Sequence, residues 1–426
     1  MVRRDLNKKM SYSPKILIHS IAFSPDGVST AYLYNDIALA FQQKGYEVVV
    51  LTTTPHYNVL PDELAKQPMK KKLGGLYYTS SFNGIKVLHI PQKKFGSTAL
   101  RILGFVYWHI LSLILGLAEK RVSAILSPSP PLTIGFINLL IGKAKGAKVV
   151  YNVQEIYPDF LIEQGGLKSK PIIAILKWLE KLVYNKSNAV TTIDQVFYDT
   201  IVGRFNEPQK LHIIPNFVDT GLYRPLADEE IILDKNLFAN SDTIKVMYAG
   251  NIGHAQDWEP LLSAAILLKD QPIEFYIIGE GVMKDYVMEK VKINGLNKVH
   301  ILPYQPRESM PHLLAFSDLQ FIFMSKEMEG HGFPSKVYTI MACAKPLVVC
   351  SGAKTPIVNF LQPQQCAKLI TTRDFAEKVN EIVAFLKGSS KESLRTLGDA
   401  GYEEITKKYS KEVVTADYIR LINKLI

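Results

Sequence analysis

His331-Gly332-Phe333-Pro334-Ser335-Lys336-Val337-Tyr338-Thr339-Ile340-Met341-Ala342-Cys343-Ala344-Lys345-Pro346-Leu347-Val348-Val349 is the stretch on which the reading of this chain turns. A Gly-Phe-Pro break precedes Ser335-Lys336, a short apolar run with helical spacing follows, and Lys345-Pro346 turns into a buried strand. A helix starting at Ser335 would aim free backbone N–H groups and the positive end of its dipole at whatever stands before the loop. Lys336 adds a full charge there, and a cation at a helix N-terminus is unfavourable without an anion nearby. Two readings stand: a loop-and-helix anion site, or a Ser after Pro that only caps the helix.

Outward from this stretch, strand and helix signals alternate. Lys15–Ile21, Glu47–Thr52, Ala124–Ser127, Ala147–Asn152, Ala189–Thr192 and Leu211–Ile214 read as strands. Ser29–Lys44, Pro131–Lys145 and Pro171–Asn185 read as helices between them. After a polar, acidic interval from Ala227 to Asp242 the pattern restarts with strands at Lys245–Tyr248, Glu274–Ile278, Val299–Leu302, Leu319–Phe323 and Pro346–Cys350. Short Val/Ile-rich runs separated by helices predict parallel sheets covered on both faces. Two series split near Pro225 predict an α/β chain of two Rossmann-like, doubly wound domains facing a central cleft. The expected bounds are 1–222 and 223–408, with 409–426 an amphipathic helix packing back toward the first domain.

Composition bounds the partners. The chain has 426 residues, 47% of them hydrophobic and 21% charged, and a formal net charge of +10. That describes a folded globular protein with an anionic partner in prospect: nucleotide, nucleic acid or acidic membrane surface. Three cysteines without a CxxC pair fit a reducing compartment and no structural zinc. The start, Met1 to Met10, is basic, and the following apolar run Ile16–Phe23, broken by His19 and Ser20, reads as a first core strand and not as a signal peptide. A nucleic-acid role is disfavoured, because no aromatic-interleaved basic stripe appears outside Lys66–Lys72.

One segment is unusual. Leu100–Ala118 is almost wholly apolar, interrupted by Arg101 and His109, and follows Lys66, Lys70, Lys71, Lys72, Lys93 and Lys94. His109 at mid-segment argues against a membrane crossing. A helix lying on an anionic bilayer and a helix buried in the first domain both fit.

Several motifs together resemble one family. They are Phe23-Ser24-Pro25-Asp26-Gly27-Val28-Ser29, Lys44-Gly45-Tyr46-Glu47, Ser127-Pro128-Ser129-Pro130-Pro131, Gln154-Glu155-Ile156-Tyr157-Pro158-Asp159 and Ile214-Pro215-Asn216-Phe217. The second half adds Tyr248-Ala249-Gly250-Asn251-Ile252-Gly253-His254-Ala255-Gln256, Ile278-Gly279-Glu280-Gly281, Leu302-Pro303-Tyr304-Gln305-Pro306 and the Pro-Ser-Lys helix. In order and spacing the chain resembles the retaining glycosyltransferases of family 4, with the two-domain GT-B fold. It is most similar to the subgroup of L-fucosamine and colanic-acid-type transferases of bacterial surface polysaccharide synthesis.

The resemblance implies a donor site at Gly250, Asn251, Gly253, Gln256, Gly279, Gly281, Pro303, Tyr304, Ser335, Lys336, Val337 and Thr339. It implies acceptor or sugar contacts at Gly27, Val28, His56, Tyr57 and His331. Family members often carry Arg and Lys where this chain has Asn251 and Gln256, which makes Lys336 the replacement cation. The two glutamates common in the family fall at His331 and Thr339 here, with Glu327 and Glu329 just upstream as substitutes by a shifted register. Ala344 stands where the family usually has Gly. Glu155 is the catalytic candidate, at the place of an acidic residue before an aromatic and Pro. Gln154 replaces the His many relatives carry, and His19 and His254 are secondary candidates.

The implied activity is transfer of a sugar from a nucleotide-diphosphate donor, UDP first, to a polyprenyl-diphosphate-linked or other glycan acceptor in O-antigen or capsule synthesis. The place implied is the inner face of the cytoplasmic membrane, with the protein peripheral. No Asp-x-Asp occurs in the chain, so no metal and no other cofactor is expected. Two readings compete: a catalytically inactive nucleotide-sugar-binding partner subunit, and a nicotinamide-dependent Rossmann enzyme. Against the second, neither first-strand turn reads GxGxxG.

Overall fold

The computed structural model describes residues 13–59, 61–92, 96–163, 165–238, 242–329 and 333–426. His331, Lys93, Lys94 and the basic start fall outside them. The chain divides into two units, 1–216 with 414–426, and 217–413. The main crossing therefore comes at Asn216/Phe217, six residues before the expected boundary, and the last helix, Lys411–Leu425, joins the first unit from Val414 onward.

The first unit carries strands β1 (Lys15–His19), β2 (Glu47–Thr53), β3 (Lys70–Lys72), β4 (Tyr77–Phe82), β5 (Ile85–Ile90), β6 (Val122–Pro128), β7 (Lys148–Val153), β8 (Ala189–Thr192) and β9 (Leu211–Ile213). They form one sheet in the order β3-β4-β5-β2-β1-β6-β7-β8-β9. From β5 to β9 neighbouring strands are parallel, and β3 and β4 add an antiparallel edge. The parallel strands are buried along nearly their whole length, which is why Ile16-Leu17-Ile18 and Val48-Val49-Val50-Leu51 read as continuous apolar runs. The edge strands lack that signature. Lys70–Lys72 is exposed at every residue, so the lysine run is an edge strand, a place where charge discourages further strand pairing.

The helix Thr98–Ala118 carries the chain from β5 to β6, and both strands belong to the same sheet. It is a crossover helix, and one face is core: Trp108 is fully buried, with Leu111 and Leu115 packed beside it. His109 is held inside the unit, Nδ1 on the Phe105 carbonyl oxygen at 2.7 Å and Nε2 on Thr133 Oγ1 at 2.8 Å. The other face is exposed, including Leu103, Val106, Ile110 and Ile114. Of the two readings of this segment, a helix buried all round does not hold: its apolar residues exceed what one packed face needs.

The second unit carries β10 (Ile244–Ala249), β11 (Ile273–Ile278), β12 (Val299–Leu302), β13 (Leu319–Phe323), β14 (Leu347–Cys350) and β15 (Ala367–Ile370). All are parallel, in the order β12-β11-β10-β13-β14-β15. This is the doubly wound order, whose direction of growth reverses between β10 and β13. Ligands of such sheets bind beyond the carboxyl ends of the strands at that reversal. Cys343, Cys350 and Cys366 are all free and buried here.

Candidate functional site

In the second unit a cavity of about 200 Å³ opens at the switch point, lined by Tyr248 and Gln256 beside β10, Phe323 and Met324 at the end of β13, and Pro334 and Lys336. A larger cavity of about 1040 Å³ lies at the opposite, amino edge of the same sheet, against Lys245, Asp318 and Pro346. The smaller one is the candidate site, because sheet topology puts ligands at the carboxyl edge.

Lys336 is the one charged residue lining the smaller cavity among the described residues. Its Nζ donates to the Ala249 carbonyl oxygen at 3.1 Å and stands 4.1 Å from the centre of the Tyr248 ring. Among the described residues no carboxylate pairs with it. Burial alone pulls its pKa from the usual lysine value down to about 8. A part-buried ammonium with one carbonyl and one aromatic face is under-compensated, and an anion would complete it. A Cβ at Gly250 would come within 2.8 Å of that Nζ, so glycine there keeps the ammonium in place.

The neighbouring loops are wired by main chain. Gly250 N–H donates to the Ile278 carbonyl at 2.9 Å, and Ile252 N–H to the Glu280 carbonyl at 2.8 Å. At Gly279, where φ is 149°, a Cβ would run into the Gly250 carbonyl, and at Gly281 into the Ile252 backbone. Gln256 Oε1 accepts from Gly253 N–H at 3.2 Å, and the Asn251 carbonyl accepts from the Tyr248 hydroxyl at 2.7 Å. Pro303 and Tyr304 are exposed beyond β12, and His254 is exposed in the loop after β10.

The helix after Pro334 covers Lys336–Ala342, with Ser335 exposed at its start and making no side-chain cap bond. The capping-only reading of Ser335 is therefore not what the side chain does. Val337 is fully buried in the core, which leaves its backbone as the part that can face a donor. Thr339 Oγ1 donates back to the Lys336 carbonyl at 2.9 Å. Glu329 is engaged within the protein. Its carboxylate accepts from Gly352 N–H at 2.7 Å and pairs with Arg373 at 2.6 Å. Ala344 has φ 53°, the left-handed conformation that explains why glycine suits that place.

In the first unit the loops after β1, β2, β6 and β7 stand at the carboxyl edge. Asp26, which sequence reasoning passed over, ties two of them together. Its Oδ1 accepts from the backbone N–H groups of His56 and Tyr57, both at 2.8 Å. Gly27 N–H donates to the Tyr57 carbonyl at 2.8 Å, and a Cβ on Gly27 would strike the Asn58 carbonyl. Val28 precedes the helix Ser29–Gln43 in extended conformation. His56 Nδ1 lies 2.9 Å from the Thr54 carbonyl oxygen, which makes Nδ1 the protonated nitrogen and Nε2 the basic one.

Glu155 follows β7. Ser129 Oγ brackets its backbone, donating to the Glu155 carbonyl at 2.9 Å and accepting from its N–H at 3.2 Å. The half-buried carboxyl is pushed above its usual pKa by loss of water, offset in part by a hydrogen bond from Tyr157. Burial and this neighbour push the Tyr157 hydroxyl up to about 12. Gln154 is locked by reciprocal amide bonds with Asn216 at 2.9 Å and by Asn152 at 2.6 Å. His19 is no ligand contact: fully buried, Nδ1 2.8 Å from Asn138 Oδ1, its pKa is lowered to about 3 by burial. Among the described residues no three His, Cys, Asp or Glu side chains are grouped to hold a metal ion.

Known proteins share this architecture. Residues 31–222 match the family model described as Glycosyltransferase Family 4, and residues 243–387 the one described as Glycosyl transferases group 1. The chain is 23% identical over 353 residues to "Putative colanic acid biosynthesis glycosyl transferase WcaI" of Escherichia coli (strain K12), covering 80% of this chain and 84% of that one. It is 26% identical over 234 residues to "Probable glycosyltransferase WbjE" of Pseudomonas aeruginosa, covering 54% and 57%. Among solved structures, Anabaena Alr3699/HepE in complex with UDP superposes with a TM-score of 0.68 at 14% identity, covering 96% of this chain and all of that one. With both units matched by family models and both sheets wound as that fold requires, the chain belongs to glycosyltransferase family 4 and has the GT-B fold.

Proposed function

We propose that this glycosyltransferase is a retaining, metal-independent enzyme of the hexosyltransferase type that uses a UDP-sugar. Its acceptor would be a polyprenyl-diphosphate-linked or other glycan of a surface polysaccharide, met at the inner face of the cytoplasmic membrane. The observation that carries the reading is Lys336: an ammonium without a carboxylate partner among the described residues, at the switch point of the nucleotide-binding type of sheet. The diphosphate supplies the missing anion, and Lys336 stabilises the charge that develops on it as the glycosidic bond breaks. Gly250, Gly253, Gly279 and Gly281 let the backbone approach the donor, with Asn251, Gln256, Pro303, Tyr304, Ser335, Thr339 and the Val337 backbone around it. UDP as the nucleotide is supported by the complex in which the similar Anabaena structure was solved.

In the first unit Glu155 orients or deprotonates the acceptor hydroxyl, its raised pKa suiting a general base. Gly27, Val28, His56 and Tyr57 form the surface the acceptor meets. A thermal-shift panel of UDP-, GDP-, ADP- and TDP-sugars tests the donor. A ligand at a hundredfold above its Kd should stabilise by about 2.7 kcal/mol. Release of UDP from the best donor in the presence of acceptor lipid separates an enzyme from a catalytically inactive binding subunit. A shift with GDP-sugars alone would overturn the UDP assignment.

A further inference from the structure

We propose that the chain docks on an anionic bilayer through a face built from two helices of the first unit, Thr98–Ala118 and Lys170–Lys186. Both pack against the helix Leu132–Lys145. On the first helix Leu103, Val106, Ile110 and Ile114 recur at helical spacing and are exposed. On the second, Ile172, Ile175 and Trp178 do the same. A helix facing water carries polar residues on that side, and rows of exposed apolar side chains of this kind mark a binding face.

Charge selects the occupant. Neither helix exposes an acidic residue: the first has none, and Glu180 of the second is buried on Arg204. Lys168, Lys170 and Lys181 are exposed at the second helix. At the other end the Tyr107 hydroxyl donates to the Leu76 carbonyl at 3.2 Å, which ties the turn after Lys70–Lys72 to the first helix. That turn exposes Leu73 and Leu76 beside the three lysines. Exposed apolar side chains accompanied by lysines on the same elements, with an exposed tryptophan, fit the boundary between headgroups and acyl chains of an anionic leaflet. The first helix does not cross the bilayer, because Trp108 and both flanking strands bind it into the sheet. The docking face gives the proposed lipid-linked acceptor a reason to be met here, but its physics is independent of the sugar chemistry.

The chain carries its own reporter. Of three tryptophans, Trp108 and Trp258 are 1% and 2% exposed, whereas Trp178 is 62% exposed. The full chain should co-sediment with vesicles of three parts phosphatidylcholine to one of phosphatidylglycerol, and not with phosphatidylcholine alone. Trp178 emission should then shift to the blue and be quenched by brominated acyl chains. Ile110→Gln/Ile114→Gln and Lys170→Glu/Lys181→Glu should each lower the bound fraction about tenfold or more, from lost apolar burial and lost attraction respectively. No vesicle binding by the wild type, or binding with Trp178 unquenched, would overturn the proposal. So would a lipid-free dimer, seen by light scattering, that Ile110→Gln/Ile114→Gln dissolves, since a second copy would then own the face. Turnover of sugar nucleotide toward a water-soluble acceptor, measured on the same samples, separates the two failures. Its absence in the wild type counts against the proposed function, and absence of vesicle binding by an active wild type counts against the docking face.

Discussion

The carboxyl edges of the two sheets differ in what does most of the holding. In the first unit side chains hold the loops: Asp26 clamps the loop after β2, Ser129 brackets Glu155, and Gln154 is locked to Asn216. In the second unit main chain lies on main chain, with Gly279 and Gly281 making room and Lys336 as the charged group of the cavity. The first plan fixes a carboxyl and an imidazole in place. The second brings backbone and one cation close to a ligand. On the proposed reading, proton handling falls to the first unit and anion grip to the second.

The largest effect that could break this division is at Glu155. Glu155→Gln should leave affinity for the donor nucleotide unchanged while slowing transfer by about a hundredfold or more, the scale of a positioned acid–base group. Product formation by chromatography beside nucleotide titration reads both. Wild-type transfer by the variant would make Glu155 structural, with His56 Nε2 the next candidate.

A smaller effect sharpens the second half. Lys336 is neutral above about pH 8 in the free protein, and a bound diphosphate must restore its proton. Affinity for UDP should therefore be flat below pH 8 and weaken by about tenfold per pH unit above it, with proton uptake on binding. The sign follows from the complex holding more protons than the free chain in that range. A flat profile from pH 7 to 10 would remove Lys336 from the diphosphate.

The smallest effect lies off both edges. Ala344 holds φ 53° and its carbonyl abuts the space where a Gly398 Cβ would be. Ala344→Gly relieves left-handed strain of about 1 kcal/mol and should raise the denaturation midpoint without changing nucleotide affinity. An unchanged or lower midpoint would contradict the strain.

How much of this was legible in the sequence follows from what each feature depends on. Most strands of the parallel cores announce themselves because burial on both faces leaves runs such as Leu347-Val348-Val349. β3, β4, β5 and β15 do not: Lys70–Lys72 is exposed and reads as a charge run, β4 and β15 are only part-buried, and the apolar run of Ile85–Ile90 is broken by Lys86 and His89. Lys336 was visible as a cation without a reason to be there. The role of Glu329 was not, because its partners Gly352 and Arg373 lie 23 and 44 positions away and only the fold brings them together. Asp26 escaped for the same reason: its partners are backbone N–H groups, which leave no mark on residue type. Trp178 sits in a helix read as ordinary, and its exposure is a fact of packing.

The central claim is that Lys336 completes an anion site for the donor diphosphate. Calorimetric titration of UDP and of uridine into the wild type and Lys336→Ala tests it most directly at pH 7. The variant should bind UDP more weakly by about 1.5–3 kcal/mol, the value of a charge-assisted hydrogen bond, while uridine affinity and thermal stability stay at their wild-type values. Equal UDP affinity in a folded Lys336→Ala protein, or equal losses for UDP and uridine, would contradict it.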